Sequence, residues 1–221
     1  MIIKQAIFDL DGTLLETMNS LIKTGNTMLA QLGYSGIEVD KYKNFVGYGA
    51  KKLVEQLIVA SGDEKAEQLD EAYDIYMKLF DDYCCYQVEP YPGILELIEG
   101  LQEKNISLGV LTNKPHQMTE RVLATAFPEG TFAFIQGQDI HLPRKPDPTA
   151  AFYVAEKIGA TDMSQVAFIG DSDADMQTAV NAGMIPVGVS WGFRTPAELI
   201  EHGSKLLLNH PLDLLAAISP E

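Results

Sequence analysis

The sequence predicts an α/β fold in which a mostly parallel sheet carries helices on both faces and an all-helical segment, the cap, is inserted after the first strand. Three observations support this prediction. Apolar runs typical of strands alternate with helical periodicities after residue 90. Residues 17–85 show helical periodicity without a convincing strand. The 221 residues, 46% of them apolar, suffice for a core domain with a smaller insert.

The first strand is predicted at the apolar run Ile2–Phe8, which stops at an acidic pair. Cap helices follow, because apolar residues recur there at helical spacing. These repeats are Leu21, Met28, Leu29 and Leu32; then Leu53, Leu57 and Ala60; then Leu69, Tyr73, Tyr76, Phe80 and Tyr83. We assign residues 16–85 to the cap and residues 1–15 and 86–221 to the core. The hinges are expected near Leu15–Thr17 and Gln87–Tyr91.

After a Pro- and Gly-rich turn at 90–93, predicted helices and strands alternate to the end of the chain. The helices are expected near 94–104, 116–126, 149–158 and 173–182. The strands are expected at 106–111, 132–135, 166–169 and 185–189, with a short last one at 206–208. This alternation indicates parallel strands joined by crossover helices.

The composition limits the possible partners and the compartment. A formal charge of -15 argues against nucleic acid bound through a basic surface and against an anionic membrane. Cys84 and Cys85 are adjacent, so they close no long-loop disulfide, and we expect a reducing cytoplasm. We expect no signal peptide, because Met1 runs straight into the first strand, and no apolar stretch reaches transmembrane length.

Acidic side chains cluster where the first strand ends. Asp9 and Asp11 are two residues apart and share one face of that strand end. Two carboxylates so close repel each other unless a cation stands between them. The pair therefore indicates a hard metal ion, acid–base chemistry, or both. Taken alone it is equally compatible with a turn or a helix cap.

Further polar groups follow later strands. The segment 112–114 (Thr-Asn-Lys) follows one strand and Gly170–Asp175 follows another, while Lys145 lies between two prolines in a loop. Ligands of open α/β sheets bind outside the carboxyl ends of the strands. Carboxylates, a hydroxyl, backbone N–H groups and a cation at one edge suit a phosphoryl group with a hard metal ion. Each cluster alone could be a turn, a helix cap or a solvated lysine.

In this order the motifs resemble the four motifs of the haloacid dehalogenase superfamily, and the resemblance covers essentially the whole chain. It implies a Rossmann-like core with a helical cap and a Mg²⁺-dependent phosphomonoester hydrolase. Asp9 resembles the nucleophile that forms an aspartyl-phosphate. Asp11 resembles the acid that protonates the leaving oxygen and then the base that activates water. Lys145 resembles the cation that offsets charge on Asp9 and on the phosphoryl oxygens.

The same resemblance assigns the remaining site residues. Thr112 and the backbone of Asn113 resemble phosphate-holding groups, and Gly12 is assigned with them. Asp171, together with Asp9 and the carbonyl of Asp11, resembles the Mg²⁺ site. Asp175 is expected to support that site.

The cap segment Phe45–Leu53 narrows the substrate class. Two glycines let the backbone approach a ligand, and the N-terminus of the helix that begins there favours an anion. Lys51 adds positive charge, so we assign it to substrate binding. An ordinary turn with exposed lysines explains the segment equally well. This segment, 112–115 and 187–193 are similar to the phosphoglycolate phosphatase branch. Glu16-Thr17 departs from the Asp-Ser common in that branch.

We therefore expect a hydrolase of a small phosphorylated metabolite, most specifically phosphoglycolate. A pyrophosphatase or nucleotidase of the same superfamily is the alternative. A sugar phosphomutase and a catalytically silent binding protein are further alternatives. The protein is expected to be a monomer or weak homodimer that binds neither nucleic acid nor membrane.

Overall fold

The computed structural model describes residues 1–219 and contains a six-stranded parallel sheet beside a two-stranded antiparallel ribbon. In chain order the strands are β1 (Gln5–Phe8), β2 (Leu15–Glu16), β3 (Glu89–Pro90), β4 (Ser107–Pro115), β5 (Phe134–Gln138), β6 (Val166–Gly170), β7 (Ile185–Val189) and β8 (Leu206–Leu208). The main sheet has the order β5-β4-β1-β6-β7-β8, and β2 pairs with β3. The predicted α/β architecture is confirmed.

Ten helices accompany these strands over the described part of the chain. They are α1 (Met18–Gln31), α2 (Val39–Phe45), α3 (Ala50–Ala60), α4 (Leu69–Tyr83), α5 (Ile94–Glu103), α6 (His116–Ala126), α7 (Thr149–Lys157), α8 (Asp173–Asn181), α9 (Pro196–Glu201) and α10 (Asp213–Ala217). None of the helices within residues 1–219 is both long enough and apolar enough to span a bilayer.

Strand β1 lies at the centre of the sheet and is buried on both faces. Its side chains alternate, so Ala6 and Phe8 join one apolar cluster while Ile7 joins the other, which also contains residues of α7 and α8. The strand begins at Gln5 and not at Ile2 as predicted, because pairing with β4 and β6 starts at Gln5 and Ile2 is exposed.

Strand β4 also differs from its predicted bounds. It continues through Thr112 and ends at Pro115, so the polar segment 112–114 lies within the strand and does not follow it. Its pairing with β5 shifts register between Leu111 and Pro115. An irregularity of this kind re-aims side chains at the end of a strand. Strand β5 begins at Phe134, two residues later than predicted.

Helices α1–α4 lie between β2 and β3 in the chain and pack on one another. The ribbon aligns Leu15 with Pro90 and Glu16 with Glu89, so both predicted crossings between cap and core lie here. Helix α2 was not expected, because Tyr42 is its one fully buried residue and no apolar repeat marks it. The cap boundaries at 16 and 85 remain a prediction.

Candidate active site

The site lies at the carboxyl ends of the three central strands, β4, β1 and β6. Asp9 follows β1, and its N–H donates to the carbonyl of Ile169 in β6 at 2.8 Å. Asp171 follows β6, and Asp175 lies in the first turn of α8. All three carboxylates are buried, and each offers an oxygen within 4.8 Å of the others. The fold thus collects three acidic groups that are far apart in the sequence.

Lys145 provides positive charge at the centre of this acidic cluster. Its Nζ lies 2.8 Å from Asp9 Oδ1 and 2.6 Å from Asp175 Oδ1. Burial alone would lower the pKa of Lys145, but the two carboxylates outweigh burial and raise it. Lys145 is therefore a permanent cation that lies against Asp9.

The remaining contacts fix the carboxylates in place. Asp171 accepts from Thr13 Oγ1 at 3.1 Å and from the N–H of Phe193 at 2.8 Å. Asp175 accepts from the N–H and the hydroxyl of Ser172, which caps α8 in return. With these bonds the acidic groups have little freedom to move apart.

The electrostatics of the cluster favour a cation. Burial raises the pKa of Asp9 to about 7, and the charge of Asp175 adds to the effect although Lys145 opposes it. Burial and the charges of Asp175 and Asp9 also raise the pKa of Asp171. The donors are all oxygens, which hard divalent ions prefer. The residues therefore fit Mg²⁺ in chemistry and in charge.

Asp11 and Gly12 form the turn that follows β1. Lys114 Nζ lies 2.9 Å from Asp11 Oδ1. Gly12 has φ +85°, and a Cβ at this position would lie 2.5 Å from Asp171 Oδ2. Glycine is therefore required, both for the backbone conformation and for the close approach of the turn to Asp171.

Asn113, in β4, connects the loop that carries Lys145 to the cap. Its amide oxygen accepts from the N–H of Lys145 at 3.0 Å, and its Nδ2 donates to the carbonyl of Gly47 at 2.8 Å. Thr112 is buried beside it, and its hydroxyl oxygen accepts from the N–H of Lys114 at 3.3 Å.

A cavity lies between the core and the cap, and the catalytic candidates line it. The core contributes Asp9, Asp11, Thr112, Asn113, Lys114, Pro115, Lys145, Asp171, Ser172, Phe193 and Arg194. The cap contributes Leu21, Val46, Gly47, Gly49, Ala50, Leu53, Tyr76 and Phe80. Every charged side chain in this lining comes from the core. The cap covers the acidic cluster with uncharged side chains and backbone.

A sequence model of the haloacid dehalogenase-like hydrolases matches residues 6–189. The chain belongs to this family. A phosphoglycolate phosphatase of Pseudomonas syringae pv. tomato is 32% identical over 211 residues, 93% of this chain and 76% of that protein. The phosphoglycolate phosphatase of Rhodobacter capsulatus is 34% identical over 203 residues, 90% of each chain. This haloacid dehalogenase-like hydrolase is therefore a phosphatase.

The solved structures agree with the family assignment. A provisionally named phosphoglycolate phosphatase from Lactobacillus delbrueckii subsp. bulgaricus superimposes with a TM-score of 0.89 at 30% identity, over 100% of both chains. A hydrolase-like protein from Bacteroides fragilis superimposes with a TM-score of 0.87 at 25% identity, over 96% of this chain and 99% of that one. The hydrolase therefore shares both core and cap with proteins of its family.

One lysine lies elsewhere than the sequence indicated, and a second has a buried partner that the sequence did not reveal. Lys51 does not line the cavity of the hydrolase: its ammonium pairs with Asp70 at 3.0 Å, and its side chain is 47% exposed. It lies away from the cavity because α3 presents Ala50 and Leu53 to the cavity instead. Lys114, to which no role was assigned from the sequence, is buried against Asp11.

Sequence reasoning missed other groups around the site. Thr13 and Phe193 hold Asp171, Ser172 holds Asp175, and Arg194 lines the cavity. The capping pattern Ser-x-x-Asp at 172–175 could have identified Ser172. No local signal marks Arg194, because its contacts lie about 150 residues earlier in the chain.

Proposed function

We propose that this phosphatase hydrolyses phosphoglycolate, with Mg²⁺ as cofactor and an aspartyl-phosphate intermediate on Asp9. The observation that carries the proposal is the buried contact of Asp9 with Lys145, beside Asp171 and Asp175 at the strand ends. The names of relatives at about one-third identity support the substrate. Free cysteines support a cytoplasmic location, and the acidic composition supports a small metabolite over nucleic acid as substrate. We further predict a monomer or weak homodimer.

In the first step a carboxylate oxygen of Asp9 attacks phosphorus, and the bond between phosphorus and the ester oxygen breaks. Asp11 gives a proton to the departing oxygen, so the alcohol leaves neutral at that atom. Lys145 holds Asp9 in place and offsets charge on the phosphoryl oxygens. The Thr112 hydroxyl and the backbone N–H of Asn113 hold those oxygens.

In the second step water attacks the phosphorus of the aspartyl-phosphate. Asp11, now a carboxylate, accepts a proton from that water, and the bond between phosphorus and the Asp9 oxygen breaks. Phosphate leaves, and Asp9 is regenerated. The cap covers the cavity during both steps and limits the access of bulk water.

Asp9 and Asp171 would hold Mg²⁺ with the carbonyl of Asp11, and Asp175 would support them through Lys145 and Ser172. When bound, the ion supplies positive charge that offsets the phosphoryl oxygens and the buried carboxylates. The protein residues do the remaining work: they orient the phosphoryl group, exclude water and transfer the proton.

The substrate is tested by measuring phosphate release from phosphoglycolate, ethyl phosphate, pyrophosphate, a nucleoside monophosphate and a hexose phosphate with Mg²⁺. Ethyl phosphate is the matched control, because a methyl group replaces the carboxylate. We expect kcat/KM for phosphoglycolate to exceed the others by roughly tenfold or more. A higher value for pyrophosphate or the nucleotide would replace phosphoglycolate by that substrate class.

The intermediate is tested in acid-quenched reactions. In the wild type we expect phosphate on the peptide that contains Asp9 and on no other acidic residue. The Asp9→Asn protein serves as the control, because its amide cannot form an acyl phosphate. Phosphate on a different residue would assign the nucleophile elsewhere.

A further inference from the structure

Core side chains hold one short segment of the cap, residues 43–49, which we call the clamped segment. Arg194, in the loop after β7, makes two of the contacts: its Nη1 donates to the carbonyl of Lys43, and its Nη2 donates to the carbonyl of Val46 at 2.9 Å. The carbonyl of Lys43 is among the last four of α2, which lack partners within their helix. Arg194, a core residue, therefore caps the carboxyl end of α2 in the cap domain.

Two more core residues hold the same segment. Tyr48 donates its hydroxyl proton to Asp173 Oδ2 at 2.6 Å, and Asp173 Oδ1 lies 3.7 Å from Nε of Arg194. Asn113 donates to the carbonyl of Gly47 at 2.8 Å. These four contacts come from three parts of the core, namely β4, the start of α8 and the loop after β7, and all fall within residues 43–48 of the cap.

The clamped segment forms part of the cavity wall over the catalytic carboxylates. Val46, Gly47 and Gly49 line the cavity with Asp9 and Asp171, whereas Tyr48 does not. Gly47 and Gly49 have φ of +114° and +88°. Glycine populates positive φ about as readily as negative φ, so the residues alone do not fix this conformation. Contacts from outside the segment are therefore needed to fix this backbone over the cavity.

We propose that Arg194 is a positioning residue: through the carbonyls of Lys43 and Val46 it holds the clamped segment closed over Asp9, and so sets the selectivity for the leaving group. The proposal rests on the phosphatase activity and deepens the proposed function, since a small leaving group is selected by a fixed wall. Asp173 lies against the guanidinium with Oδ1 and accepts from the Tyr48 hydroxyl with Oδ2, so the contacts act together.

A direct role of the Arg194 charge on the substrate is the competing explanation, because its side chain lines the cavity. The two roles make different demands on the side chain. Holding two carbonyls requires the planar fork of a guanidinium, whereas attracting an anion requires only a positive charge. Arg194→Lys keeps the charge and loses the fork, so it separates the two roles.

The test compares wild type with Arg194→Met, Arg194→Lys and Tyr48→Phe. Backbone hydrogen exchange of residues 39–49 is measured without ligand, and kcat and KM are measured for phosphoglycolate and for p-nitrophenyl phosphate. Both Arg194 variants should exchange roughly tenfold faster over 43–49. Both should also lose roughly tenfold in preference for phosphoglycolate, mainly through KM. Tyr48→Phe should shift both quantities in the same direction by a smaller factor.

Arg121→Met is the matched control, because Arg121 in α6 pairs with Asp81 in α4 and so links core to cap away from the clamped segment. It should change neither exchange over 43–49 nor selectivity. The proposal is overturned if Arg194→Lys restores the selectivity lost in Arg194→Met. It is also overturned if the segment loosens while selectivity stays at the wild-type value. Hydrogen exchange is measured without substrate. A wild-type protein that does not hydrolyse phosphoglycolate would therefore overturn the proposed substrate, while exchange over 43–49 would still test whether Arg194 holds the clamped segment.

Discussion

Lys114 Nζ lies 2.9 Å from Asp11 Oδ1, and the lysine side chain is only 1% exposed. The ring of Phe80, in the cap helix α4, lies 4.7 Å from the same ammonium group. Asp11, the proposed acid and base, is thus held by Lys114 of β4, and the cap covers this lysine. Because the pair is buried, it is screened little by salt.

This contact leads to a prediction for the two buried lysines. Lys145→Ala should lower kcat/KM by well over tenfold, about 1.4 kcal/mol or more, with every phosphate ester, because Asp9 loses its cation. Lys114→Ala should affect ethyl phosphate far more than p-nitrophenyl phosphate, because Asp11 loses the contact that positions it and a nitrophenolate leaves with little help from an acid. The measurement is kcat/KM for both esters in both variants.

Lys78→Ala is the control for these substitutions, since Lys78 is exposed on α4 and does not line the cavity. It should match wild type with both esters. Equal losses from Lys114→Ala on the two esters would separate Lys114 from proton transfer. Small losses from Lys145→Ala would mean that the cation of the site is a different residue.

The sequence indicated that the acidic groups meet at one edge of the sheet, because each group follows a predicted strand. The apolar run before Asp9 and Asp11 marks a strand end, and parallel strands bring their carboxyl ends to one edge. The pairing of Lys145 with Asp175 was not readable, since it joins side chains 30 residues apart whose distance depends on packing. The same holds for Lys114 and Asp11, which are 103 residues apart.

The cap was predicted less completely for a physical reason. Helices α1, α3 and α4 show apolar repeats because each buries one face. Helix α2 buries little of its surface and carries no such repeat. The orientation of Lys51 could not be derived either, because consecutive residues of a helix point in different directions and the register of α3 on the core is set by tertiary contacts.

Asp9→Asn should lower turnover by roughly a thousandfold or more, about 4 kcal/mol, while the fold survives. An amide is similar in shape to the carboxylate but cannot attack phosphorus. The measurement is kcat with p-nitrophenyl phosphate, together with circular dichroism and thermal unfolding. Mass spectrometry must exclude deamidation back to aspartate, and near wild-type turnover from an intact Asp9→Asn protein would remove Asp9 from the nucleophile role.

Chelation should abolish activity, and Mg²⁺ should restore it where Zn²⁺ does not. The site offers carboxylate oxygens, and the acidic cluster Asp9, Asp171 and Asp175 contains no imidazole or thiolate to favour zinc. The measurement is phosphate release after exhaustive EDTA treatment and after titration with each ion. Full activity in EDTA would contradict the proposed cofactor.

Stability of the metal-free protein should depend on pH through the same carboxylates. The pKa of Asp9 is raised from 3.8 to about 7 by burial, so the folded state binds more protons than the unfolded state between these values. The free energy of unfolding must therefore fall as pH rises from about 5 to about 7. Mg²⁺ binds the ionised form, so it should raise Tm more at high pH than at low pH.

Asp9→Asn is the control for that pH dependence, because it removes one of the titrating groups and should flatten the fall in Tm. Asp171, whose pKa is also raised by burial, keeps part of the slope in the variant. A wild-type Tm that rises between about pH 5 and about pH 7 in EDTA would have the opposite sign and contradict the assignment.

Replacing Lys51 and Lys52 together by alanine should leave kcat and KM for phosphoglycolate unchanged. A glycine-bearing turn that opens a helix suggested that Lys51 binds the leaving group. The ammonium groups of Lys51 and of its neighbour Lys52 instead pair with Asp70 and Glu55 on the cap surface. Exposed pairs of this kind contribute about 0–1 kcal/mol, so Tm should also change little. Arg194→Met is the comparison: it removes a cation that does line the cavity and holds its wall. A selective rise in KM for phosphoglycolate in the double variant would return the lysines to the substrate, and would require the cap to move far enough for α3 to turn its outer side inward.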